Sequence, residues 1–114
     1  MSPEAFSAAA LSLPGATCDL QWGDDLVYKV GGKMFAVTDA SASSLSLKVS
    51  DIAFEALTES GRARAAPYLA RAKWVRFDVL AELEADEVVD WLATAHAIVA
   101  AKLTKAARRE LGLA

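Results

Sequence analysis

The chain has 114 residues, with 12 basic and 15 acidic side chains and a formal net charge of −3. That length suits one compact domain, residues 1–114, built on one core; 54% apolar and 24% charged is the balance of a folded chain, not a disordered one. An acidic total speaks against indiscriminate nucleic-acid binding, which usually goes with a basic domain, and no apolar run approaches the ~20 residues of a membrane span.

In chain order, Ser2-Pro3-Glu4 reads as a helix start: a capping hydroxyl, proline in the first turn, then an acid at the positive helix end. The small apolar run that follows has no Lys or Arg ahead of it, so it is read as helix and not as a secretory leader. Pro14-Gly15 turns the chain. Residues 17–22, TCDLQW, alternate, and Cys18, Leu20 and Trp22 are expected on the buried face. Gly31-Gly32 between two β-rich runs predicts a tight hairpin, because paired glycines accept the positive φ angles of a two-residue turn. SLSLKVS alternates again, with Leu45, Leu47 and Val49 inward and Ser44, Ser46 and Lys48 outward.

Ser50 or Asp51 caps a second helix that stops at Gly61. Residues 62–72 contain Pro67 and are expected to be irregular. KWVRFDV returns to strand, with Val75 and Phe77 on one face and Trp74, Arg76 and Asp78 on the other. A long helix over about 86–103 should turn Val89, Leu92, His96, Val99 and Leu103 inward. Thr104 starts a short last helix. The order is α-β4-α-β-α: an α+β two-layer sandwich with an antiparallel sheet of about five strands, one face covered by helices.

Charge is segregated along the chain. Residues 60–77 hold Arg62, Arg64, Arg71, Lys73 and Arg76 and no acid; residues 78–90 hold Asp78, Glu82, Glu84, Asp86, Glu87 and Asp90 and no base. A local basic face therefore fits within an acidic whole. Catalytic and metal chemistry find little support. His96 is the sole histidine and reads as structural; Cys18 alone gives neither a disulfide nor a metal framework. The lysine after Gly31-Gly32 lacks phosphate-loop spacing. The acids of 78–90 lack a calcium-loop pattern and suit a solvated helix start. An enzyme would need a pocket joining His96, Tyr28 or Tyr68 to carboxylates. The expectation is a non-enzymatic cytoplasmic protein without cofactor, metal or membrane partner.

The stretches WGDDLVYKVGGKMFAVTD, LSLKVS, FEALTE, APYLARAKWVRFD, ADEVVDWLATAHAIVAAKL and ARRELGL, in this order and spacing, resemble the MmcQ/YjbR family of small bacterial proteins over roughly residues 3 to 112. The resemblance implies a CyaY-like fold and DNA binding through a double-wing arrangement. CyaY and frataxin bind iron through acids on their first helix; here that helix carries one acid, Glu4, which argues against iron chemistry. Under the DNA reading, Lys33, Lys48, Arg62, Arg64, Arg71, Lys73 and Arg76 would contact phosphates of double-stranded DNA, with Trp74 packing or stacking. No helix presents a bidentate base reader, so little sequence preference is expected. The alternative is an interaction domain for a protein or small ligand, with no nucleic-acid role. Geometry separates the two: the bases converge on one surface, or they scatter and pair with the acids of 78–90.

Overall fold

The computed structural model describes residues 1–67 and 69–113. Helix α1, Pro3–Leu11, starts at Ser2, whose hydroxyl accepts from the Ala5 N–H at 3.1 Å. Phe6 and Ala10, one turn apart, are its buried contacts, and Phe6 meets the Tyr28 ring edge-on at 5.4 Å. Strands β1 (Ala16–Gln21), β2 (Asp25–Val30), β3 (Lys33–Thr38) and β4 (Leu45–Lys48) follow as an antiparallel meander. Gly31 and Gly32 turn β2 into β3 with φ of 57° and 79°, the left-handed pair that the sequence predicts. Helix α2, Asp51–Glu59, is capped by the Ser50 hydroxyl. Strand β6, Trp74–Phe77, pairs with β4, and α3 (Ala85–Ala100) and α4 (Lys105–Glu110) complete the chain.

The sheet has six strands in the order β1-β2-β3-β4-β6-β5, where β5 is Arg64–Ala65. The fifth expected strand is thus joined by a sixth inside residues 62–72. Two residues, pairing Arg64 with Arg76 and Ala65 with Val75, are too short to leave a period in the sequence. Register fixes the two faces. Tyr28, Ala36, Leu47 and Val75 stand in one row facing the helices, and Val27, Val37, Ser46, Arg76 and Arg64 stand in a row on the other, open face. The core lies between the first row and Phe6, Leu57, Val88, Leu92, Ala95 and Val99 of the helices. This is the α+β architecture expected, with helices on one face.

Three inward assignments change. Leu20 and Trp22 are each 65% exposed: β1 is an edge strand, and the helix layer does not reach its far end. Val89 is exposed and Val88 buried; α3 turns the 88–92–95–96–99 stripe inward, and the small Ala95 lets the helix sit close to the sheet. The helix also ends at Ala100, so Leu103 is buried from the turn beyond it. Between β3 and β4, Asp39 organises the connection. Its carboxylate accepts from the Ser43 N–H at 2.7 Å, the Ser44 N–H at 3.2 Å and the hydroxyls of Ser41 and Ser43.

Candidate nucleic-acid interface

The basic side chains fall into two groups. Arg62, Arg64 and Arg76 pair with acids of the 78–90 stretch. Arg62 makes a two-point contact with Glu87, at 2.8 and 3.0 Å, and lies over the Trp91 ring, 5.5 Å from its centroid. The hydrogen bond from Arg62 holds the Glu87 carboxyl below the usual carboxylate range. Arg64 and Arg76 are cross-strand partners, and both reach one oxygen of Asp78, just beyond β6. Hydrogen bonds from Arg76 and then Arg64 lower the Asp78 carboxyl likewise. This is the pairing that the interaction-domain reading predicted for these three residues.

The lysines gather elsewhere. Residue pairing between β3 and β4 runs only from Ala36–Leu47 to Thr38–Leu45; Lys33 and Met34 pair with β2 alone, and Lys48 pairs with Trp74 on β6. The start of β3 and the end of β4 therefore splay, and the end of the helix layer shows through the gap. The resulting shallow hollow, about 310 Å³, is lined by Lys33, Lys48 and Lys102 around Met34, Leu69, Ala72, Trp74 and Val99, with no acidic side chain among the described residues. Lys48 Nζ donates to the Ala72 carbonyl. Burial, and next the nearby Lys102, push the Lys48 amine down from its ordinary value; Lys73 adds to this and Asp51 opposes it. Lys73 has a left-handed backbone, φ 60°, with its ammonium 4.9 Å from the centre of the Phe54 ring. Arg71 is exposed one residue before Ala72.

Trp74 is 4% exposed and forms part of the wall. Ala66 and Leu69 hold its backbone, with the Ala66 N–H bonded to the Trp74 carbonyl at 3.0 Å and the Trp74 N–H to Leu69 O at 3.3 Å. Of its two expected roles, packing is the one observed; a ring so covered presents no face for stacking. Lys102 was not among the expected contact residues. It reaches the group because Leu103 packs under the hairpin, against Gly31, a long-range contact with no local signature.

The groups that chemistry would need are occupied structurally. His96 is buried, its Nε2 lies 2.7 Å from the Pro14 carbonyl, and its ring meets Phe35 edge-on at 5.5 Å. A carbonyl only accepts, so Nε2 carries the proton and donates. Burial pushes both the Cys18 thiol and the Tyr28 phenol up from their ordinary values. Tyr68 lies outside the described residues. Among the described residues there is no cluster of three or more His, Cys, Asp or Glu side chains able to hold a metal ion, and no helix long and apolar enough to cross a membrane.

With this geometry in view, the family model described as YjbR matches residues 11–98. The crystal structure of Deinococcus radiodurans protein DR2400, with the family-model domain DUF419, is similar throughout. Its TM-score is 0.85 at 28% identity, covering 99% of this chain and 89% of that one. No curated protein matches the chain.

Proposed function

The chain belongs to the YjbR family, and from that premise we propose that it is a non-enzymatic DNA-binding protein that contacts duplex phosphates through the lysine-lined end of its sheet. One observation carries the reading: Lys33 of β3, Lys48 of β4 and Lys102 of the turn after α3 come to one hollow that no acidic side chain lines among the described residues. Arg71 and Lys73 flank it. Arg62, Arg64 and Arg76, committed to Glu87 and Asp78, stand outside the contact surface. Lysine ammonium groups act as point charges towards phosphate and read no base edge, so sequence preference is small. The net charge of −3 keeps the affinity modest.

A phosphate beside the Lys48 amine would favour its charged form against the burial and like-charge repulsion that depress it, so binding takes up protons at alkaline pH. The test is fluorescence anisotropy of a labelled random-sequence duplex against the protein, from ~20 mM to ~150 mM salt. The expected result is binding at the lower salt that weakens with a log–log slope of roughly 2–3, about one per lysine engaged. Absence of binding at ~20 mM salt, with protein up to high micromolar, overturns the reading.

A further inference from the structure

The open face of the sheet carries a second hollow, and it is larger. About 510 Å³ in volume, it lies over β3, β4 and β6, between Trp22 on one side and the returning segment at Pro67 and Leu69 on the other. Its floor follows the cross-strand row Val37, Ser46, Arg76, and Met34 adds apolar surface. That volume is in the range of small-molecule sites, and the lining mixes apolar side chains with polar and charged ones.

Two features give the cleft a chemical preference. The first is charge. Arg64 and Arg76 share the single carboxylate of Asp78, so this cluster keeps one uncompensated positive charge. Arg76 bonds Asp78 through Nε; its two terminal nitrogens, and the Ser46 hydroxyl opposite it in the sheet, have no hydrogen-bond partner among the described residues. Asp78 thus pins the guanidinium by one edge and leaves the other, a planar pair of donors, for an incoming carboxylate. The second is the far wall. Trp22 is 65% exposed and held in the β1–β2 turn with a left-handed φ of 50°, so a large flat apolar surface stands beside the cleft instead of in the core. Asp25 lines the cleft as well and disfavours a second anionic group. The Asp39 carboxylate, also in the lining, is already used by Ser41, Ser43 and Ser44.

We propose that this cleft is a binding site for a small organic monoanion, a carboxylate on a flat apolar body, with Arg76 and Ser46 holding the carboxylate and Trp22, Met34, Val37 and Leu69 holding the body. The proposal is independent of nucleic-acid binding, because the lysines that line the other hollow are absent from this one.

The experiment is a pair of titrations of the whole protein, followed by backbone and indole N–H shifts in NMR: indole-3-acetate against indole-3-acetamide, isosteres that differ in charge. The acid should give saturable shifts at the Trp22 indole and at the Val37 and Ser46 amides, and the amide should bind at least about tenfold more weakly. Arg76→Gln should remove the difference between the two probes. Lys48→Gln, which removes one positive charge from the other hollow and leaves this lining unchanged, should preserve it. Equal binding of acid and amide overturns the proposal. So does the absence of saturation up to ~10 mM probe, and so do shifts confined to Lys33, Lys48 and Lys102, which would mark plain anion attraction by the other hollow.

Discussion

Arg64 and Arg76 face each other across β5 and β6 and share one oxygen of Asp78. Like charges directly opposite in a sheet repel, so the carboxylate is what permits the pair. Its folded-state pKa is depressed, chiefly by the Arg76 hydrogen bond. Stability from this pairing is therefore present above the ordinary aspartate value of about 3.9 and lost as pH falls through the lower folded value. Asp78→Asn should flatten the acid limb of a urea-midpoint profile taken from pH 6 downwards. The groups are exposed, so ~0.5 M salt should shrink the difference between the two proteins.

The two hairpin glycines should differ. Both have positive φ, but a Cβ on Gly31 would lie 2.7 Å from Leu103 Cδ1, while one on Gly32 meets nothing within 4 Å. Gly32→Ala is expected to cost about 1 kcal/mol from backbone strain alone. Gly31→Ala adds overpacking against Leu103 and should cost roughly 2–3 kcal/mol. Equilibrium denaturation of the two variants checks the order; equal costs would contradict the close approach of Leu103.

His96 is a tie between α3 and the turn after α1. Replacing it with Ala removes the partner of the Pro14 carbonyl and the edge contact with Phe35, and is expected to cost roughly 2–4 kcal/mol. His96→Phe restores ring volume but not the donor and should still lose about 1–2 kcal/mol. Neither substitution should alter DNA affinity once the protein is folded. A loss of binding with an intact fold, followed by anisotropy and circular dichroism, would contradict the structural role.

Asp39 acts as a local template. Burial pushes its carboxyl up, but hydrogen bonds from Ser43, Ser44 and Ser41 outweigh this and leave it below the ordinary value. Asp39→Ala should loosen residues 40–44 and cost about 1–2 kcal/mol, with faster amide exchange at Ser43 and Ser44 as the local readout. The folded pKa is lowered, so the stabilisation holds above about pH 4 and disappears as pH falls through the folded value.

Several of these features were legible in the residues alone. Paired glycines between β-rich runs specify the β2–β3 turn, strict alternation gives β4, and capping hydroxyls at Ser2, Ser50 and Thr104 mark helix starts that are found there. What was not legible depends on contacts far apart in sequence. Val88 and Val89 are equally apolar, and only the docking of α3 on the sheet decides between them. Leu20 and Trp22 alternate as a buried face should, but their place at an edge strand and its turn leaves them exposed. The grouping of the cations was hidden for the same reason. Arg64 meets Arg76 only because a two-residue strand forms, and Lys102 joins Lys33 and Lys48 only because Leu103 packs under Gly31. A run of basic residues adjacent in sequence was thus divided between two surfaces.

That division is the central claim, and a matched pair of double variants tests it directly. Lys48→Gln with Lys102→Gln, and Arg64→Gln with Arg76→Gln, each remove two positive charges. Their affinities for one random-sequence duplex, measured by anisotropy at ~20 mM and ~150 mM salt, separate the two surfaces. The lysine pair should lower affinity about tenfold or more at the lower salt and reduce the log–log salt slope by roughly 2, while the arginine pair leaves both nearly unchanged. Equal losses from the two pairs, or the larger loss from the arginines, would contradict the assignment of phosphate contact to the lysine-lined hollow.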